Sequence, residues 1–397
     1  MNATVDLVYF NAGGGHRAAA LALRDVLVQQ RRPWTLRLVN LTEVLDPARR
    51  FRRATGLDPE DLYNRRLQRG WTLGLGAELK LLQSMIRAAH RPLCRRLQAH
   101  WQHTRPDLVV SLIPNFNRAM GQALAAARPG VPFVTVITDL ADLPPRFWVE
   151  PTVQQHVVCG TPQAQAQALA AGVPAARVSL VSGMLLRPAF YEPATGDRAA
   201  DRAALGLDPA RPTAAVMYGG QGSMEMLRIA RLLPGVQLLL FTGHNQPLAA
   251  QLRALPSPGT APRAVLGFTP EVPRLMRLAD FFIGKPGPGA MSEALHLGLP
   301  VVTFDNAWTM PQERFNTRWV RELGVGLVLR SLNDLPDACA GLLPRLDEFR
   351  HRVGWLDNRA VFEVPEILSE LLQAPAPMPL PRWPSPVPPA SLLRREA

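Results

Sequence analysis

Val5-Asp6-Leu7-Val8-Tyr9-Phe10, then Gly13-Gly14-Gly15-His16, then Arg17-Ala18-Ala19-Ala20-Leu21-Ala22-Leu23 decide the reading of this chain. A β-branched, apolar run enters a glycine turn, and the turn opens a helix-forming stretch. That is the first half of a strand–crossover–strand unit, which places the next strand parallel to the first. The order recurs at residues 213–218, where an apolar run meets Gly219-Gly220-Gln221-Gly222-Ser223 and a second helical pattern. Between the two openings, short apolar runs at 36–40, 107–112, 132–138 and 178–181 alternate with helical stretches. Beyond the second they recur at 236–242, 263–267, 281–284, 300–304 and 326–330. The pattern predicts an α/β protein of two Rossmann-like domains in tandem, with a ligand cleft between them at the carboxyl ends of the strands.

The expected boundaries follow. Residues 1–188 form an N-terminal, acceptor-side domain, and 189–208, polar and carrying Pro, Gly and Asp, form a linker. Residues 209–345 form a C-terminal nucleotide-binding domain, 346–373 a closing helical segment, and 374–397 a disordered tail. Eight of the fifteen residues from Pro375 to Pro389 are proline, a composition that fits neither helix nor sheet.

With 397 residues, 47% hydrophobic and 19% charged, the chain has ample material for two cores, and global disorder is excluded. The formal charge is +12, and only Lys80 and Lys285 among the 44 basic residues are lysines. Such a balance favours an anionic partner. Thirteen basic and five acidic residues fall between 45 and 105, interleaved with Phe51, Trp71, Leu81, Leu82, Met85 and Trp101. That mixture suits a face pressed against anionic lipid, or equally helices covering a sheet with a solvated basic side. Three scattered cysteines exclude a disulfide framework and a cysteine zinc cluster. Met1 leads directly into a strand, with no leader and no apolar run long enough to span a bilayer, so a cytoplasmic protein is expected, peripheral on the inner face of the membrane.

Gly13 to Ala18 satisfies G-x-G-x-x-A, yet the following strand ends at Asn40 without the acid that binds a dinucleotide ribose, so the nicotinamide reading lacks its second feature. His16 ends the glycines where a side chain points into a cleft, as a base or a hydrogen-bonding group. Gly220, Gln221, Gly222 and Ser223 form a phosphate cradle, and Gly287-Pro288-Gly289 opens another helix beside Lys285. Glu293, on that helix, is placed to accept hydrogen bonds from ribose hydroxyls or simply to compensate the helix dipole. No D-x-D, no metal-ligand spacing, no G-x-S-x-G and no Walker loop occurs. No nucleic-acid recognition motif accompanies the charge either.

These residues resemble glycosyltransferase family 28. Gly267-Phe268, Met276, Asp280 and Lys285-x-Gly287-Pro288-Gly289-x-x-x-Glu293-Ala294-Leu295-x-x-Gly298-Leu299-Pro300 match its nucleotide-sugar domain. Gly13-Gly14-Gly15-His16, Tyr63-Asn64 with Gly70-Trp71-Thr72, Pro106-Asp107 and Val136-Ile137-Thr138-Asp139 are similar to its diacylglycerol branch, the monogalactosyldiacylglycerol synthases and processive glucosyltransferases. The resemblance implies a GT-B fold and inverting, metal-independent transfer of a hexose from a UDP-sugar to a lipid, with no cofactor. It implies that backbone near Phe268 holds uracil, Glu293 the ribose, and Gly220–Ser223 with Lys285 and Gly287–Gly289 the diphosphate. Gln312 and Asn316 read the donor sugar, Gly14, Gly15, Tyr63 and Trp71 lie on the acceptor side, and His16 or Asp139 is the base. Two departures stand out: Ala290 replaces a frequent threonine, and Leu143-Pro144-Pro145 stands where close relatives carry a histidine. A UDP-sugar epimerase of the same fold and a non-catalytic descendant are the alternatives.

Overall fold

The computed structural model describes residues 2–11, 14–47, 53, 75–256, 259, 261–307 and 309–374. Tyr63, Trp71, much of the basic stretch and the proline-rich tail lie outside the described residues. The first sheet has β1 (Ala3–Tyr9), β2 (Trp34–Asn40), β3 (Leu108–Ser111), β4 (Phe133–Val136), β5 (Gln155–Cys159) and β6 (Val178–Leu180), in the order β2-β1-β3-β4-β5-β6. The second has β7 (Thr213–Met217), β8 (Gln237–Phe241), β9 (Arg263–Leu266), β10 (Phe281–Gly284), β11 (Val301–Phe304) and β12 (Gly326–Leu329), in the order β12-β11-β10-β7-β8-β9. Every pairing in both sheets is parallel.

Burial explains the strand sequences. β7, β8, β10 and β11 are covered on both faces, so they read as unbroken apolar runs rather than alternating ones. β5 has no counterpart among the candidate strands. Its front half is Gln155-His156, polar in sequence, yet Gln155 is buried, so tertiary packing overrides the local signal. β1 also carries a polar residue inside. Asp6 is fully buried and accepts a hydrogen bond from Arg37 Nε of β2 at 2.6 Å. The helix Gly15–Gln29 lays Ala19, Ala20, Leu23, Val26 and Leu27 on the sheet, one stripe of a 3.6-residue period.

Both sheets reverse strand order once, between β1 and β3 and between β7 and β10, and ligands in such folds bind at these reversals. The His16 turn follows β1. The Gly219–Ser223 and Lys285–Gly289 turns follow β7 and β10. All three therefore open on the crevices.

The segment 346–373 divides between the two domains. Phe349 and Val353 of the helix Leu346–Val353 pack into the second domain, whereas the helix Ala360–Gln373 returns to the first. There Val361, Val364 and Leu368 are completely buried against the core of Val5, Leu7, Leu23 and Val110, each contributing roughly 1.5–3 kcal/mol. Polar bonds fix the return: Asn358 Nδ2 donates to the Met184 carbonyl at 3.0 Å, and the Ser182 N–H donates to Glu363 at 2.7 Å.

Asp280, just before β10, knots the second domain. Its Oδ1 accepts from Arg198 Nη2 at 2.8 Å and Arg350 Nη2 at 2.7 Å, and its Oδ2 from Arg202 Nη2 at 2.5 Å and the Thr213 N–H at 2.8 Å. One carboxylate thus joins the linker helix Arg198–Ala204, the start of β7 and the helix Leu346–Val353.

Candidate active site in the interdomain cleft

A cleft of about 2190 Å³ runs between the domains and receives all three glycine turns. On the first domain, Gly14 caps the helix Gly15–Gln29 with φ 80° and no side-chain hydrogen bond, so its first N–H groups lack a side-chain cap. His16 follows in the first turn. Its Nδ1 lies 3.2 Å from Thr138 Oγ1, and its ring centroid 6.1 Å from that of Trp148. Removal from water pushes the imidazole down to about 4, against a hydrogen bond to the Leu112 carbonyl that favours the charged ring. His16 is therefore neutral at neutral pH.

Asp139 shares this corner. The fully buried Trp148 donates its indole N–H to Asp139 Oδ2 at 2.8 Å. Burial pushes the carboxyl up to about 6; the Trp148 bond and Lys285 lower it, and Glu313 raises it. Asp139 is thus a carboxylate at pH 7, yet a far better proton acceptor than an exposed aspartate.

Across the cleft, the Gly219–Ser223 turn is braced by the loop after β8. Gly243, at φ 58°, sits so close that a Cβ there would be 2.1 Å from the Gly220 carbonyl oxygen. The His244 N–H donates to that same carbonyl at 3.0 Å, and Asn245 Nδ2 donates to Gln221 O at 3.2 Å. Gly243→Ala should displace the Gly220 turn and cost about 1–3 kcal/mol. Urea titration checks this, and an unchanged midpoint would show the brace to be dispensable. Ser223 is buried, and its hydroxyl accepts from the Glu225 N–H at 3.3 Å.

The Lys285–Gly289 turn feeds the helix Pro288–His296, which starts with proline after an uncapped Gly287. Its first N–H groups and dipole face the cleft, a favourable setting for phosphate. Glu293 lines the cleft one turn further on; burial lifts its carboxyl to about 7, opposed by Arg187. A carboxyl raised above its unfolded value weakens folding once it must ionise, so the deficit is absent near pH 4 and full above 7. Glu293→Gln is expected to raise the thermal midpoint more at pH 8 than at pH 5, which paired scans would reveal. Equal shifts would mean that the carboxyl is solvated.

Phe268 stands 65% exposed at the cleft edge, stacked on His244 with centroids 4.1 Å apart and planes at 17°. Gln312 reaches the cleft, whereas Asn316 stands behind its wall. Asn316 is 0% exposed and its Nδ2 donates to the Pro286 carbonyl at 2.7 Å. The expectation that it reads the donor sugar therefore meets a different geometry, because its amide buttresses the Lys285–Gly289 turn. Glu313, between Gln312 and the helix Arg314–Leu323, was silent in sequence but is buried and receives Lys285 Nζ at 3.0 Å. His244 and Gly243 were equally silent, although the Thr242-Gly243-His244-Asn245 turn after a strand was a visible signal.

Two doubly wound parallel domains facing one cleft, with glycine turns at both reversals, define the GT-B fold. The solved structures agree on the fold. MurG of Acinetobacter baumannii superposes with a TM-score of 0.57 at 14% identity over 93% of this chain and all of its own. The UDP-GlcNAc 2-epimerase of Neisseria meningitidis bound to UDP-GlcNAc gives 0.56 at 13% over 92% of this chain and all of its own. Within that class the chain is similar to the monogalactosyldiacylglycerol synthases. The sequence profile of that family, monogalactosyldiacylglycerol (MGDG) synthase, matches residues 16–183. The probable monogalactosyldiacylglycerol synthase 2, chloroplastic, of Oryza sativa subsp. japonica is 27% identical over 390 residues, 92% of this chain and 80% of that protein. The Arabidopsis thaliana monogalactosyldiacylglycerol synthase 1, chloroplastic, is 27% identical over 64% of this chain, which spans 48% of that relative's length.

Proposed function

We propose that this chain moves a hexose from a UDP-sugar to the hydroxyl of a diacylglycerol-like lipid, with inversion and without a metal ion. The observation that carries the reading is the Asp139 carboxylate, held by Trp148 and sharing one cleft with two anion-binding turns of the opposite domain. The acceptor oxygen attacks the anomeric carbon from the face opposite the nucleotide. As the new C–O bond forms, the bond to the diphosphate breaks and the acceptor proton passes to Asp139. The electron pair leaves on UDP, where the turns after β7 and β10 and the Pro288–His296 helix dipole stabilise it. Of the two candidate bases, Asp139 titrates nearer neutrality and is the stronger; His16 orients the acceptor through its neutral ring.

The acceptor mouth supports a lipid. Leu81, Leu82 and Met85 of the helix Leu75–Ala88 line it and are exposed. Arg87, Arg91 and Arg95, close along the chain, are also exposed, a pairing that suits a peripheral enzyme on an anionic surface. Among the described residues no helix is long and apolar enough to cross a membrane. Binding to vesicles is expected to rise with acidic lipid and fall with salt; indifference to both would remove the surface from the reading.

The deciding experiment supplies radiolabelled UDP-sugars with vesicles containing diacylglycerol. Label entering the organic phase supports the transfer. Label retained in water as a new UDP-sugar would assign an epimerase, and no turnover with intact UDP binding a non-catalytic module.

A further inference from the structure

The helix Leu75–Ala88 packs inward through a stripe with one polar member. Leu79, Gln83 and Ile86 recur at helical spacing and are half-buried, whereas Leu81, Leu82 and Met85 are exposed. Leu79 meets the core of Ile137, Leu140 and Trp148. Gln83 is held by hydrogen bonds: its Nε2 donates to Asn115 Oδ1 at 3.2 Å and to the Pro145 carbonyl at 3.4 Å. Both partners belong to the frame around Asp139. Residues 139–148 form a loop whose two ends are joined by the bond from Trp148 to Asp139. On its bow, Asp142 at φ 55° and Arg146 at φ 57° take the left-handed conformation, which non-glycine residues hold only where neighbours enforce it. Asn115 is left-handed too, at φ 66°, and its N–H donates to the Phe147 carbonyl at 2.5 Å. Asn117, fully buried, donates from Nδ2 to the Trp148 carbonyl at 2.9 Å and accepts from Ser111 Oγ at 2.6 Å. On the other side of the bow, Asp142 meets Arg318 of the second domain at 3.3 Å. Hydrogen bonds and adjacent residues thus join Gln83 through Asn115, Phe147 and Trp148 to the Asp139 carboxylate.

We propose that Gln83 is a positioning residue for the transfer, fastening the lipid-facing helix to the Asp139–Trp148 loop and so setting the base at a fixed depth from the bilayer. The inference rests on the reading of this cleft as a lipid transferase with Asp139 as its base. The hydroxyl of a membrane lipid is presented from the plane in which its tails are held. How far it must reach is decided by the distance between that plane, met by Leu81, Leu82 and Met85, and the carboxylate. Apolar packing is non-directional and lets a helix slide, whereas two hydrogen bonds to fixed acceptors do not. Gln83 does not line the cleft, so its effect on rate passes through the loop rather than through a contact with substrate. Misplacing a reacting group by about 1 Å costs on the order of 10²-fold in rate, which sets the scale of the expected loss.

Gln83→Met keeps the length of the side chain and removes both donors. With diacylglycerol in vesicles of phosphatidylcholine and phosphatidylglycerol, kcat should fall by about 10–100-fold. Donor KM and vesicle binding should stay near those of the unaltered protein. Asn115→Gly keeps the left-handed backbone and removes the Oδ1 acceptor, so it should lower kcat in the same way. Combining the two should add little to the larger loss, because both remove one shared bond. Asn115→Gly also carries the test should Gln83→Met fail to fold. A kcat unchanged by Gln83→Met overturns the inference. So does a loss matched by weaker vesicle binding, which would make Gln83 part of the membrane contact alone. Additive losses would show that the two residues act separately and would overturn it as well. An unaltered chain that binds the vesicles and UDP yet labels no lipid would instead sink the transferase reading beneath it.

Discussion

Asp139→Asn is expected to lower kcat by about 10²–10⁴ while leaving UDP affinity near that of the unaltered protein. On the proposed reading the carboxylate stands on the acceptor wall, away from the turns that would hold the donor, so its loss falls on proton removal. The wild-type rate should decline as pH falls through about 6, where Asp139 takes up its proton, and the variant should lose that limb. Retained rate in Asp139→Asn together with a limb near 4 would transfer the role of base to His16. A second readout points the other way. Because burial raises the carboxyl above its unfolded value of 3.8, folding is penalised above about pH 6 and relieved below 4. The neutral asparagine escapes that penalty, so the variant should gain about 3 kcal/mol at pH 8, from a shift of about two units. An inactive protein that is harder to melt is the expected signature of a strained site.

Asp280→Ala should cost about 3–5 kcal/mol of stability, a large share of the 5–15 kcal/mol typical of a folded domain. Burial alone would raise this carboxyl, but bonds from Arg198, the Thr213 N–H and Arg202 hold it below the usual aspartate range. Its contribution is thus present above pH 3.8 and is lost as pH falls through the lowered native value. The variant leaves Arg202, 3% exposed, as a buried cation whose remaining bonds go to carbonyls of Leu278, Pro209 and Arg211. Urea titration measures the loss. A change below about 1 kcal/mol would show that those carbonyls suffice, and Asp280→Asn, which keeps the shape, should fall between the two.

The tandem fold was legible because parallel strands buried on both faces leave continuous apolar runs, and because both glycine turns sit directly after such runs. β5 was not, since Gln155 and His156 read as surface and acquire their setting only from neighbouring strands. The glycine turns, Lys285 and Glu293 were legible through their place before or within a helix that opens on the cleft. Glu313 was not, because an acid before a helix reads as ordinary capping chemistry and its partner lies 28 residues upstream. For Asn316 the resemblance implied a place beside Gln312 at the donor sugar, and only the fold shows its side chain buried with the amide on the Pro286 carbonyl.

The returning helix Ala360–Gln373 joins the first domain's core late in synthesis. The first domain's sheet ends at β6, yet part of one face, beside the helix Gly15–Gln29, is covered by residues translated about 190 positions later. At about 5–20 residues per second that part stays open for roughly 10–40 s on the ribosome. Val5, Leu7 and Val110 lie in the core that this helix completes. A nascent chain stalled within the second domain therefore displays the same apolar surface as a chain that has lost the helix Ala360–Gln373, and both are natural clients for a holdase chaperone.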